Sequence, residues 1–343
     1  MSSSKAVFLV RYGEAGRAFE LRDHHCALPG PDEVKIQAEF SGLNFADVLA
    51  RLGLYPEAPK PPAILGYEVV GRIEALGRNV TALQVGQRVL AFTRFGGYAS
   101  HTLAQATGVV PIPEDLDGSQ ACALATQYVT GYYAAEELVK LHSGDQVLVQ
   151  AAAGGVGLAL VQLAKRRGCT VYGTAGSDEK TSFLSSIGVD HPINYNTHDF
   201  EKEVLRLGGG KRLDVVFDAL GGVAAKKGFR LLGAGGRFVT YGVASMAGKK
   251  KNLLRSLSTV AAFGPIFPLQ LLMKSKSVIG VNLLAISDHK PEVIGRCMRE
   301  CVELVRRGEI RPHSGRIFPV AEVGLAHEFL GNRGSIGKVA IAW

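Results

Sequence analysis

Glycines at 154, 155 and 157 interrupt the run Val147-Leu148-Val149-Gln150-Ala151-Ala152-Ala153 and open a helical pattern. A strand that turns tightly onto a helix N-terminus presents backbone N–H groups without intrahelical partners at the positive end of the helix dipole, which makes an anion site. Side chains would hold a pyrophosphate away from that backbone, and glycine removes them. Ala152-x-Gly154-x-x-Gly157 is a weak pattern alone. Between a strand and a helix, inside an alternating βαβ run, it reads as a dinucleotide-binding turn. The competing explanation is a tight packing turn with no ligand.

The end of the next strand distinguishes the nucleotides. An acid there would hold the ribose hydroxyls of NAD and repel a 2′-phosphate. This sequence has Thr174-Ala175-Gly176-Ser177, with Lys180 one turn along, and Ser177 and Lys180 are groups that can bind a phosphate. NADP is the nucleotide this favours, although Ser177 would equally cap a helix opening with Asp178-Glu179 and leave Lys180 in solvent. Asn44 is placed to cap the helix after it, and Tyr55 to anchor a loop. Other chemistries find little support. Gly337-Lys338 resembles the end of a phosphate loop, but Val339 stands where Ser or Thr is needed and Asn332 where a glycine is. The sequence contains no Gly-x-Ser-x-Gly elbow and no His-Glu-x-x-His helix, and His24-His25 lacks a third ligand nearby.

The elements that must position these residues change character along the chain. Residues 5–11, 32–40, 68–74, 87–92 and 98–103 read as short strands punctuated by glycines, with Val34, Ile36, Ala38 and Phe40 alternating onto one face. Such a run describes an antiparallel, barrel-like domain, with a short helix near 45–52 and an extended loop through Pro56, Pro59, Pro61 and Pro62. From Gly118 to Leu138 the spacing becomes helical. Strands at 147–152, 170–174, 213–217 and 236–241 then alternate with helices at 155–167, 178–187, 198–207 and 222–231, which predicts a parallel sheet covered on both faces. Ser277–Leu284 reads as a further buried strand, 292–307 as an amphipathic helix, and a last strand and helix reach the C-terminus.

A chain of 343 residues predicts two domains, and 47% hydrophobic with 20% charged residues is the balance of a soluble globular protein. The N-terminus lacks the apolar core of a signal peptide, and no uninterrupted apolar run reaches the roughly 18 residues that span a membrane. The five cysteines are scattered, with Cys297 and Cys301 on an apolar helix face, so a reduced, cytoplasmic setting is expected. The net charge of +8 is dispersed in short basic runs without interleaved aromatics, which argues against a nucleic-acid partner.

Taken together, Gly42-Leu43-Asn44-Phe45-Ala46-Asp47, Gly53-Leu54-Tyr55-Pro56, Leu65-Gly66-Tyr67-Glu68, Ala151–Gly157 and Asn194-Tyr195 resemble the zinc-independent quinone oxidoreductase (zeta-crystallin-like) branch of the medium-chain dehydrogenase/reductase superfamily. Within it, Val239-Thr240-Tyr241-Gly242, Lys251-Asn252-Leu253-Leu254 and the stretch from Arg311-Pro312-His313 to Gly337-Lys338-Val339 are similar to the vesicle amine transport protein homologues. Zinc-dependent relatives carry Gly-His-Glu where this chain has Gly66-Tyr67-Glu68, and Ser41 stands near their first catalytic cysteine. The resemblance therefore implies an α/β protein with no catalytic metal: a GroES-like β-barrel-type domain over 1–127 and 286–343, and a Rossmann doubly wound parallel-sheet domain over 128–285. It implies that Asn44, Tyr55 and Thr130 line the nicotinamide and substrate cleft, and that Gly154, Gly155 and Val156 meet the pyrophosphate. Gly176, Lys180 and Tyr195 would surround the adenosine phosphate, Tyr241, Gly242 and Asn282 flank the nicotinamide, and Arg333 approach the cofactor. Tyr241 departs from the phenylalanine of several relatives. A homodimer through strand 277–284 is implied as well. The activity expected is NADPH-dependent hydride transfer to quinones or α,β-unsaturated carbonyl compounds. The alternative is a nucleotide-binding, lipid-associated transport protein with little turnover, suggested by the three lysines and the apolar side chains of 249–273, which otherwise form a lid over an apolar pocket.

Overall fold

The computed structural model describes residues 4–246, 264 and 266–343. The greater part of the basic and apolar stretch 249–273 lies outside the described residues. Two compact units form, Met1–Val129 with Leu283–Trp343, and Thr130–Asn282.

In the first unit, a seven-stranded sheet runs in the order Ser314–Pro319, Lys338–Ala342, Glu33–Leu43, Glu68–Leu76, Arg88–Phe92, Val109–Pro111, with His101–Gln105 paired to Glu33–Leu43. The expected alternation holds for Val34, Ile36 and Ala38, which point into a core with Val69, Ile73, Val89 and Ala91, whereas Phe40 follows a register shift and is half-buried outside that core. A smaller sheet joins Phe19–His24, Ser4–Leu9 and Ala63–Ile64. Its core contains Leu9, Leu43, Leu65, Tyr98, Val339 and Ile341. The last strand pairs antiparallel with Glu33–Leu43, Val339 opposite Leu43, so its first residue, Lys338, comes beside Asn44 and the C-terminal Trp343 beside Glu39.

The second unit is a six-stranded parallel sheet in the order His191–Asn194, Thr170–Ala175, Gln146–Val149, Leu213–Asp218, Leu232–Thr240, Ser277–Gly280. Val147, Leu148 and Val149 are fully buried, as a strand covered on both faces requires. The chain builds outward on one side of Gln146–Val149, then returns to the other, so a crevice opens outside the carboxyl ends of Gln146–Val149 and Leu213–Asp218.

Several sequence expectations are corrected. The strand placed at 277–284 ends at Gly280, and Leu283–His289 is a helix; a short apolar run does not distinguish the two by periodicity. The strand placed at 147–152 ends at Val149, because Ala151 takes a left-handed φ of 51° and belongs to the turn. Phe19–His24 and His191–Asn194 are strands too short in their apolar pattern to be read from the sequence, and the C-terminal return contains two strands rather than one. The helical stretch begins at Gly118 and ends at Val139, with π-helical turns at Leu124–Tyr128 and Tyr133–Val139 on either side of Thr130.

Candidate active site

In the second unit, the glycine turn behaves as its sequence requires. Gln150 N–H donates to Phe217 O and Ala152 N–H to Thr174 O, which pins the turn to both neighbouring strands. Gly154 is the N-cap of helix Gly155–Arg166 and supplies no side-chain cap. The first-turn N–H groups of Gly155, Val156 and Gly157 therefore have no capping side chain, and they face the crevice end of the sheet. A Cβ on Gly157 would lie 2.7 Å from Ala152 Cα and O, and closer still to Ala151 O, so this glycine lets the helix start directly against the turn. Ala151, a non-glycine residue in the left-handed region, marks the same turn as strained.

The neighbouring helices begin differently. Ser177 Oγ accepts from Lys180 N–H at 3.3 Å, and Asp199 Oδ1 accepts from Glu201 N–H at 3.0 Å. Asp218, fully buried, accepts from Leu220 and Gly221 N–H groups ahead of helix Gly222–Leu231, and burial pushes its carboxyl up to about 6. The termini of Asp178–Ser186 and Phe200–Leu207 are thus capped by the protein's own side chains, whereas Gly155–Arg166 and Gly222–Leu231 both start on a glycine N-cap with no side-chain cap.

Among the sequence-predicted residues of this unit, Gly176 and Tyr195 come together: a Cβ on Gly176 would meet the Tyr195 hydroxyl at 2.6 Å. Ser177 is a helix cap, and Lys180 sits half-buried in the first turn. Asp178, the acid that weakens the phosphate argument, is held by Asn194 Nδ2 at 2.7 Å. Tyr241 and Gly242 follow the carboxyl end of Leu232–Thr240, and Asn282 follows Ser277–Gly280, so both lie at the same edge of the sheet as the glycine turn. Burial and the neighbouring Asp218 charge push the Tyr241 hydroxyl well above the ordinary phenol range. Thr130 is buried, 8% exposed.

In the first unit, Asn44 is the N-cap of helix Phe45–Arg51, and its N–H donates to Asp47 Oδ2 at 2.8 Å. Its carboxamide faces inward to Glu68 and Lys338. Asp47 is fully buried, and desolvation pushes its carboxyl up to about 7 against the bonds from Asn44 and Gly66 N–H groups. The Tyr55 hydroxyl is raised by burial and by its bond to Glu57, with Asp47 and Arg94 also acting on it. Tyr67, in the place of the zinc relatives' histidine, is 3% exposed; its hydroxyl is buried without a partner and its ring lies 5.1 Å from that of Phe95. Burial, then Asp47 and Tyr55, raise it strongly. Arg333 follows helix Val323–Gly331, exposed, with a left-handed φ of 59°. Sequence reasoning missed Asp47, Glu68 and Lys338 as one polar cluster, because Lys338 and Glu68 are 270 residues apart.

A phenol, a serine and scattered buried thiols do not make a zinc site, and among the described residues no group of three or more His, Cys, Asp or Glu gathers to hold a metal. The described helices include none long and apolar enough to cross a membrane.

Comparison with known proteins agrees with this geometry. Residues 30–114 match the alcohol dehydrogenase GroES-like domain family, and residues 155–299 the zinc-binding dehydrogenase family. The synaptic vesicle membrane protein VAT-1 homologue of Danio rerio is 38% identical over 90% of this chain, which spans 64% of that protein's length. The Homo sapiens homologue is 35% identical over 91% of this chain and 79% of its own length. Among solved structures, Escherichia coli quinone oxidoreductase complexed with NADPH superposes with a TM-score of 0.86 at 26% identity, covering 99% of this chain and 100% of that one. The CurK enoyl reductase gives 0.86 at 28% identity over 99% of each chain. With a GroES-like unit, a Rossmann unit and the VAT-1 homologues as relatives, the chain belongs to the zeta-crystallin-like, quinone-oxidoreductase branch of the medium-chain dehydrogenase/reductase superfamily.

Proposed function

We propose that this protein is an NADPH-dependent oxidoreductase that delivers hydride to quinones or α,β-unsaturated carbonyl compounds without a catalytic metal. The observation that carries this reading is the helix N-terminus at Gly154–Gly157, uncapped and at the point where the strand order reverses. The absence of an acid at Ala175-Gly176, with Lys180 in the next turn, supports NADP(H) over NAD(H). The quinone oxidoreductase with NADPH and the enoyl reductase among similar structures support the acceptor class. Bound NADPH supplies the hydride. The chain's own residues position and exclude water: the first-turn N–H groups of Gly155 and Val156 would hold the pyrophosphate, and Gly176, Lys180 and Tyr195 the adenosine phosphate. In the first unit Asn44, Tyr55 and Arg333, and in the second Thr130, Tyr241, Gly242 and Asn282, are the residues assigned to the cofactor and the substrate. Because the Tyr55 hydroxyl keeps its proton well above neutral pH, it could donate to an acceptor oxygen by exchanging its present bond to Glu57 for that oxygen.

The test is nucleotide oxidation followed by absorbance, with NADPH or NADH against 1,4-benzoquinone and simple enones. NADPH binding without turnover of any acceptor would sink the reductase reading. A second reading, a nucleotide-dependent lipid-binding protein, draws on the exposed apolar side chains of Phe267, Leu269, Leu272 and Met273, 54–78% exposed. Co-sedimentation with anionic vesicles would then favour it. The same side chains flank the sheet-edge strand Ser277–Gly280, which supports a homodimer formed at that edge. Light scattering that gives a monomer mass at micromolar concentration would overturn the dimer.

A further inference from the structure

The most completely buried charges in the first unit lie behind Asn44. Glu68 is 0% exposed, Lys338 1% and Asn44 6%. The Lys338 ammonium pairs with Glu68 Oε1 and donates to Leu43 O and to Asn44 Oδ1, each at 3.1 Å. The Asn44 Nδ2 donates to the same Glu68 oxygen at 2.8 Å. Glycine at 42 makes the room, since a Cβ there would strike Glu68 Oε1 and Lys338 Cε and lie 2.8 Å from Glu68 Cδ.

Stability is a weak explanation for such a pair. Desolvating two charges consumes much of what their attraction returns, and apolar residues of similar volume often serve as well. What apolar residues could not do is orient an amide. With an ammonium against Oδ1 and a carboxylate against Nδ2, turning the carboxamide over would set N–H groups against the cation and the carbonyl against the anion. One of the two N–H groups is used by Glu68, and Oδ1 serves Lys338 and the capping box with Asp47, which leaves the second N–H group at a fixed position.

We infer that Lys338 and Glu68 are positioning residues that lock the Asn44 carboxamide in one orientation for the ligand it meets. The inference rests on the reading of Asn44 as a ligand-facing residue. It also gives Gly337-Lys338 a role: the lysine serves a carboxamide and a carboxylate, and no phosphate loop is needed to explain it.

The test is the double variant Glu68→Met/Lys338→Met, which removes both charges at once, alone and combined with Asn44→Ala. Melting temperature and circular dichroism establish that it is folded; kcat/KM is then measured with NADPH and 1,4-benzoquinone. A misplaced group of this kind costs about 100-fold. The double variant is expected to lose that factor, as Asn44→Ala does, and adding Asn44→Ala should cost little more. A folded double variant with wild-type kcat/KM, or one in which Asn44→Ala still costs its whole factor, overturns the clamp. A readout independent of turnover is the side-chain amide signal of Asn44 in protein labelled with nitrogen-15 asparagine, assigned by its loss in Asn44→Ala. In the wild type the proton bonded to Glu68 is expected to be exchange-protected and distinct from the second, and to become solvent-like in the double variant. Solvent-rate exchange in the wild type overturns the proposal even if the double variant does not fold. A wild type that binds NADPH but reduces no acceptor overturns the reductase reading alone, because the amide signal still decides the clamp.

Discussion

Two alanine substitutions in the glycine turn should separate space kept for the backbone from space kept for a ligand. In Gly157→Ala the new Cβ would be 2.7 Å from Ala152 Cα, about 0.7 Å inside an ordinary contact of 3.4 Å, and the obstacles are backbone atoms that no rotamer change can clear. The helix start must move by a comparable distance. Overpacking of this kind costs about 1–3 kcal/mol, or roughly 1–4 °C in melting temperature for a chain of this size. The shift also carries the first-turn N–H groups away from their anion, and losing one charge-assisted hydrogen bond of about 1.5–3 kcal/mol would weaken NADPH binding roughly 10- to 150-fold. Gly154→Ala differs. Its φ of −77° suits alanine, and its nearest obstacle is Ala151 O at 3.2 Å, so the stability cost should stay under about 1 kcal/mol. NADPH affinity should nevertheless fall at least tenfold, if a pyrophosphate rests against that N-cap, by the same loss of backbone approach. Thermal melts and NADPH fluorescence titrations measure both quantities. Gly157→Ala melting with the wild type would refute the contact argument, and Gly154→Ala binding NADPH at wild-type affinity would refute the pyrophosphate assignment.

Other outcomes follow from the same structure. Lys180→Glu should weaken NADPH by at least tenfold while changing NADH little, and equal effects on both nucleotides would show that Lys180 does not read the 2′-phosphate. Asp47, raised by burial to about 7, keeps a proton in the folded state that the unfolded chain releases near the ordinary carboxyl value of about 4. Its contribution to stability should therefore decline as pH rises from about 4 to 7 and level off above. Melting temperature measured across that window should fall less steeply in Asp47→Asn; an unchanged slope would count against a protonated Asp47. Substituting Leu272→Asp and Met273→Asp together should leave the fold intact and shift the mass in light scattering from dimer to monomer, and an unchanged dimer would move the interface elsewhere.

Much of the second unit was legible because its strands are buried on both faces and its helices announce themselves at 3.6-residue spacing. Helix Gly222–Leu231 falls where the spacing places it, and in the first unit Cys297 and Cys301 are buried on the helix face that the pattern gave them. What escaped was local structure with too little pattern. Phe19–His24 alternates only over Phe19-Glu20-Leu21-Arg22, too short a run to read as a strand, and is exposed over most of its length, and His191–Asn194 carries Pro192, which propensity reads as a breaker. In the candidate site, the glycine turn was legible because its chemistry is backbone chemistry, written in consecutive residues. Ser177 was readable in two ways, and its bond to Lys180 N–H realises the capping one while leaving its phosphate role to experiment.

The cluster around Asn44 shows the limit of sequence reading most clearly. Asn44, Glu68 and Lys338 come from a strand end, the start of a second strand and the first residue of the last, and nothing in their local sequences says they meet. The register that sets Val339 opposite Leu43 brings the lysine in, and a one-residue slip would turn Lys338 to the opposite face of the sheet. A buried ammonium without Glu68 is costly, so the wrong register is disfavoured by charge as well as by the apolar face formed by Val339 and Ile341. The pairing that closes the first unit thus also sets the orientation of the amide at its candidate site.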